Sequence, residues 1–320
     1  MKKAISDPRL TLLILFIMLS SCTYSQSFFP VRGTGMPVNK DYNVSDFKGI
    51  DVSGGFDVTL VQGNTESVTL TAQENLFEYF TVKVENGTLK IYTRNNIMST
   101  REMKARITFK NISNLEVSGG GDVNSDTPIN AEALDVNISG GGDLRSVINS
   151  DELKCHISGG GDAELEGKTK DYYFDMSGGG DLKSKVNAST ISCRIAGGGD
   201  LYLRNDDKTS QGNIDINGGG DMDVKINAEK LKCSVTGGGD AILSGQASDF
   251  EIHINGGGDA NALNLSTNIT SFNVSGGSDI HVNASKELSG YISGGGDVYY
   301  SGNPEKVSID AKGGSEVHKE

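Results

Sequence analysis

Cys155-His156-Ile157-Ser158-Gly159-Gly160-Gly161-Asp162-Ala163-Glu164-Leu165 decides how this chain is read. Cys155 and Ile157 alternate with polar His156 and Ser158, three glycines end in an acid, and Ala163 and Leu165 resume the alternation around Glu164. Period two marks a strand with one buried face, and the glycines mark a corner between two such strands. The same corner ends at Asp122, Asp143, Asp162, Asp181, Asp200, Asp221, Asp240, Asp259 and Asp297, with variants at Asp57 (Gly-Gly-Phe-Asp), Asp279 (Gly-Gly-Ser-Asp) and Glu316 (Gly-Gly-Ser-Glu). From Asp122 to Glu316 the steps are 21, 19, 19, 19, 21, 19, 19, 20, 18 and 19 residues. Such a period belongs to solenoids, not to an enzyme with one singular site.

Counting back from each acid, the fifth residue is apolar in every coil: Val117, Ile138, Ile157, Met176, Ile195, Ile216, Val235, Ile254, Val274, Ile292 and Ala311. The seventh is Leu115, Val136, Cys155, Phe174, Cys193, Ile214, Cys233, Ile252, Phe272, Gly290 and Ile309. A third series follows the acid directly, from Val123 and Leu144 to Val298 and Val317, and Leu165, Leu203, Val224, Leu243 and Val282 stand three residues after it. Stacked at about 4.8 Å per coil, these series make parallel sheets. The expected fold is therefore all-β, a right-handed parallel β-helix or close solenoid of about 19-residue coils, a rod on the order of 50 Å long. An antiparallel meander of hairpins is the alternative; it would give successive motifs unlike surroundings, whereas a solenoid gives every coil the same one.

The glycines supply positive φ or let one corner lie close against the next. Stacked carboxylates would repel by about 1 kcal/mol per neighbour pair even in water, so something must offset them along Asp122, Asp143, Asp162, Asp181, Asp200, Asp221, Asp240, Asp259, Asp279 and Asp297. One account is hydrogen bonding from backbone N–H groups of the glycine corner. The other is calcium held between adjacent corners, although the repeat has twice the period of calcium-binding nonapeptides and lacks their second Gly-x-Asp element. Neither makes the ladder an active site, and no other cofactor is implied.

Cys155, Cys193 and Cys233 share one inward column in alternate coils. Two coils separate them by about 9.6 Å, beyond the roughly 7 Å a disulfide bridges. Three buried free thiols are expected. His156, His253, His281 and His318 fall on outward positions, as do Tyr173, Tyr202 and Tyr299. Arg101, Lys104, Arg106 and Lys110 are the one notable basic concentration, which reads as a solvated strand face.

Of 320 residues 43 are Gly, five are Pro and none is Trp, and the net charge is −13. An acidic chain of this kind is not a nucleic-acid binder, because phosphate contact needs a cationic face. Residues 1–21 read as a signal peptide: Lys2, Lys3 and Arg9 precede an apolar run from Leu10 to Leu19 that is too short to span a bilayer. Leu19-Ser20-Ser21-Cys22 resembles the lipobox of bacterial lipoproteins, which makes Cys22 the lipidated mature N-terminus; Thr23 after it resembles outer-membrane sorting, facing the periplasm or the surface. Residues 22–42 read as the lipidated cysteine and a tether, 43–112 as an N-terminal β segment and cap, and 113–320 as the solenoid repeats. In the cap, Phe47-Lys48-Gly49-Ile50-Asp51-Val52-Ser53-Gly54-Gly55-Phe56-Asp57-Val58 repeats the strand-corner-strand grammar, and Asn86-Gly87 signals a hairpin.

That opening, the Gln62-Gly63 turn, Glu74-Asn75-Leu76 and the Ser-Gly-Gly-Gly-Asp corners resemble the family called "putative auto-transporter adhesin, head GIN domain" from about Asn43 onward. The resemblance implies an exported, often lipid-anchored β-helical protein of Gram-negative bacteria; unlike an autotransporter, this sequence shows no C-terminal membrane barrel. The functional expectation is a non-catalytic envelope protein, held to the membrane by its lipid, that presents a solenoid face to a glycan or protein. A structural partner-binding role is the second reading. A polysaccharide-acting enzyme is the third, and it would need acids that break the repeat and converge in a groove.

Overall fold

The computed structural model describes residues 30–99 and 101–320, so Cys22 and the signal segment lie outside the described residues. The chain winds into a β-solenoid of about 11 turns with about 19-residue spacing. Leu115, Val136, Cys155, Phe174, Cys193, Ile214, Cys233, Ile252, Phe272, Gly290 and Ile309 pair in succession, every pairing parallel, which rejects the meander. Each inner coil is one long extended run, such as Leu144–Gly159 or Ala163–Gly178, bent at its middle and closed by the glycine corner.

The bend carries a part of the core that the alternation does not announce. Leu144, Ser146 and Ile148 point inward and so do Leu153, Cys155 and Ile157, so the parity of buried positions switches across Asn149–Glu152. Leu134, Leu153, Tyr172, Ile191, Leu231, Phe250 and Leu288 thereby form a further buried column nine residues before each acid. The 21-residue coils absorb their extra residues at this bend: pairing is interrupted between Arg204 and Lys208 in one, and Asp126–Pro128 separates two strands in the other. Gly290 interrupts the apolar column because Phe272 of the previous coil fills its space; a Cβ there would lie 2.5 Å from that ring.

The N-terminal segment closes one end by changing strand direction. Gly49–Ser53 and Asp57–Gln62 pair parallel with the first regular coil on one side and with Thr88–Thr93 and Lys104–Phe109 on the other. Beyond these, Phe80–Glu85, Ser67–Gln73 and finally Pro37–Tyr42 add antiparallel. The Asn86-Gly87 hairpin is present, with φ of 52° and 73° at its two turn residues. Phe56, Phe77 and Phe80 plug the end edge to face, with centroids 5.0 and 5.7 Å apart. The tether reading needs correction over residues 31–42: Val31–Arg32 pairs with Ile97–Ser99, and Pro37–Tyr42 is a six-residue strand of the cap. The charged Lys40 between Val38 and Tyr42 breaks the apolar alternation and concealed it, because an outermost strand buries little.

Candidate binding surface along the acidic corner

Within each glycine triplet the three positions face different surroundings. At Gly159 φ is +133° and an added Cβ would sit 1.7 Å from the Gly140 carbonyl oxygen of the coil below. At Gly161 it would sit 2.0 Å from the Gly142 oxygen, whereas at Gly160 it would meet nothing within 4 Å. Corners thus stack backbone on backbone, and the glycine amides bond the coil below, Gly160 N–H donating to Gly140 O at 3.1 Å. The first corner has no glycine corner beneath it, so its third position can carry the buried ring of Phe56.

The acid that follows is held by the next coil. The backbone N–H of Asp143 donates to Oδ1 of Asp122 at 3.1 Å, that of Asp162 to Asp143 at 3.1 Å, that of Asp181 to Asp162 at 2.9 Å, and that of Asp200 to Asp181 at 2.9 Å. Asp221, Asp240, Asp259, Asp279, Asp297 and Glu316 continue the series at 2.7–2.9 Å, and Asp122 begins it on Asp57 at 3.2 Å. The expected donor was the glycine corner; the donor is instead the amide of the following acid. The carboxylates therefore line one edge in a single file, each with Oδ1 engaged. A hard cation asks for six to eight oxygens. Among the described residues no group of three or more His, Cys, Asp or Glu side chains is gathered to hold a metal, so the geometry gives the calcium account no support.

Beside this file runs the outward column two residues on, where Lys183, Tyr202, Asp223 and Ile242 occupy successive coils. Together with Asp200 and Asp221 they line an open groove of about 550 Å³. Tyr202 is fixed: the Arg204 guanidinium stacks 3.8 Å from its ring centroid, and Arg204 Nη2 reaches Asp223 Oδ2 at 2.6 Å. Ile242 is 54% exposed, the largest value for a large apolar side chain in the solenoid repeats. The groove therefore offers one rigid aromatic ring and one aliphatic side chain bordered by acceptors. No residue in the sequence singled out Arg204; its spacing to Tyr202 within the strand was the available signal. A second groove, of about 880 Å³, follows the mid-coil bend and is lined by Asn227, Gln246, Asn268 and Asn283 together with the charged Lys208, Glu229, Lys230 and Asp249.

The remaining candidates do not converge. Tyr299 is stacked between His281 and His318, with centroids 4.6 and 5.0 Å away, so both of its faces are covered. Tyr173 lies on the other outward strip under Lys154 Nζ, and His156 stands 3.9 Å from Asp175. His253 meets Glu251, whose carboxyl is held below its usual range by that contact and by Lys232. Lys104, Arg106 and Lys110 pair with Glu102, Asp126 and Glu66, as a solvated strand face would. Cys155, Cys193 and Cys233 are free and buried as expected; burial pushes the Cys193 thiol up to about 12 and raises the other two further.

The family described as "putative auto-transporter adhesin, head GIN domain" matches residues 46–211 and 202–304. No curated protein matches the sequence. Among solved structures, one described as a putative lipid binding protein from Parabacteroides distasonis is 20% identical, with 91% of this chain and 100% of that one covered and a TM-score of 0.40. A putative adhesin from Parabacteroides merdae is 18% identical over 91% and 98% of the two chains, also at 0.40. A putative adhesin from Bacteroides fragilis is 18% identical over 91% and 100%, at 0.32.

Proposed function

We propose, from the premise that this chain belongs to the "putative auto-transporter adhesin, head GIN domain" family, that it is a non-catalytic envelope lipoprotein, anchored through Cys22, that binds ligand along its solenoid surface. The observation that carries the reading is the groove in which Tyr202, locked by Arg204, and Ile242 stand beside an unbroken file of carboxylates. A sugar ring stacks its C–H face on such a ring while its hydroxyls donate to the neighbouring acids. The acids follow the repeat and do not converge, and each shares the same bond, which favours architecture over acid–base chemistry. The lipobox at Leu19-Ser20-Ser21-Cys22 supports anchoring in the cell envelope, at the outer membrane.

The test is glycan-array binding by a soluble form beginning after Cys22, alongside its Tyr202→Ala and Ile242→Ala variants. Binding to a glycan class that both substitutions weaken is the expected result. An array without signal, with an envelope protein captured in its place and lost in the same two variants, would favour the partner-binding reading. Glycan cleavage would refute the non-catalytic one.

A further inference from the structure

The chain is electrically polar along its axis. Residues 30–112, which form the cap end, carry ten Lys and Arg against nine Asp and Glu, whereas residues 113–320 carry sixteen against thirty-two. The cap end also holds the two most exposed large apolar side chains among the described residues, Met36 at 69% and Met98 at 63%. They lie together. Met36 immediately precedes Pro37–Tyr42, the outermost strand of its face, and its sulfur contacts Arg101 Nη1 at 2.9 Å. Met98 lies in Ile97–Ser99, which pairs only with Val31–Arg32, outside the main sheet. Arg32, Arg94 and Arg101 of this end are exposed and without a carboxylate partner in any ion pair among the described residues; of its nine acids, Glu66, Glu85 and Glu102 are paired with lysines, and Asp41 of the outermost strand accepts a hydrogen bond from Thr69.

We infer that this end of the solenoid is a docking surface for an anionic phospholipid bilayer, with Met36 and Met98 entering the interface and Arg32, Arg94 and Arg101 meeting headgroup phosphates. The inference rests on the anchoring read at Cys22. Only seven residues lie between Cys22 and Pro30, where the described fold begins, so the eight Cα–Cα steps span at most about 28 Å and keep this end near the membrane. Flexible apolar side chains flanked by guanidinium groups suit a lipid interface. The acidic solenoid is repelled by the same surface, so charge alone turns the cap downward and directs the grooves away from the bilayer.

The experiment uses the full-length lipidated protein in phosphatidylethanolamine–phosphatidylglycerol vesicles, with a nitroxide attached at Met98→Cys or, as the control, at Ile242→Cys. The native thiols at positions 155, 193 and 233 are buried and stay unlabelled. Docking predicts that the label at 98 loses most of its collisions with a water-soluble nickel complex and gains collisions with oxygen, while that at 242 behaves as in solution. Arg94→Glu with Arg101→Glu should restore water exposure at 98. Protein that floats with the vesicles yet shows a fully hydrated label at 98 overturns the docking surface and leaves the anchor standing. Protein whose mass lacks the lipid and which does not float overturns the anchor and the docking surface together.

Discussion

Three adjacent alanine substitutions in one corner should have three different outcomes. At Gly160 the added methyl meets open space and φ lies outside the left-handed region, so Gly160→Ala reduces the freedom of the unfolded chain at no native cost, a gain of about 0.4–1 kcal/mol. At Gly161 the methyl would lie 2.0 Å from Gly142 O, part of the backbone of the coil below. That atom cannot rotate away, and overpacking of this kind costs about 1–3 kcal/mol. Gly159→Ala adds to a 1.7 Å overlap with Gly140 O the cost of holding an L-residue at φ +133°, another 1–2 kcal/mol or so, for a total of about 2–5 kcal/mol. Because neighbouring coils can loosen without the whole array unfolding, the decisive assay is backbone hydrogen exchange over residues 140–180, supported by thermal melting. Protection should fall most for Gly159→Ala, less for Gly161→Ala, and hold or rise for Gly160→Ala. Equal losses at all three positions would refute the backbone-on-backbone stacking from which the ranking is derived.

The acid ladder makes a paired prediction: Asp181→Ala strips the acceptor from the Asp200 amide and should cost about 1–2 kcal/mol, whereas Asp181→Asn keeps an oxygen there and removes repulsion from two neighbours, so it should melt at or above the parent at low salt. The three thiols should resist a disulfide reagent in the native state and react fully in denaturant, at rates that rise together on unfolding. Lys183 bonds Glu164 of the coil below and holds its carboxyl under the usual range. A carboxyl whose folded pKa is lowered stabilises the fold above its unfolded pKa and ceases to do so as pH falls through the folded value. Lys183→Met should therefore move the Glu164 titration, followed by NMR, back up toward normal and abolish that acid-side loss, an effect within about 1 kcal/mol for so exposed a pair.

The corner motif, the two inward columns before it and the parallel stacking were legible because each is a local pattern repeated at a fixed interval. The column through Leu153, Tyr172 and Phe250 was not, because the bend at Asn149–Glu152 shifts the parity of buried positions and some coils insert residues there. The need for something to hold the acids could be argued from Coulomb repulsion, but the donor could not. Whether Asp162 takes a glycine amide of its own corner or the amide of Asp181 depends on the backbone path of the corner, which stacking fixes. Tyr202 was visible as an outward ring, yet its distinction from Tyr173 and Tyr299 lies in the Arg204–Asp223 clamp across two coils. The strand Pro37–Tyr42 escaped notice because its partner, Ser67–Gln73, is distant in sequence and its own exposed face is polar.

Pairs of spin labels at outward positions of a single column test the stacked register most directly. With one label at Arg145 and the second at Ile242 or His318, five and nine coils away, distances should be about 24 and 43 Å, growing by about 4.8 Å per coil. Distances that failed to rise with coil number, or that alternated between near and far, would contradict the solenoid and every inference drawn from its single file of acids.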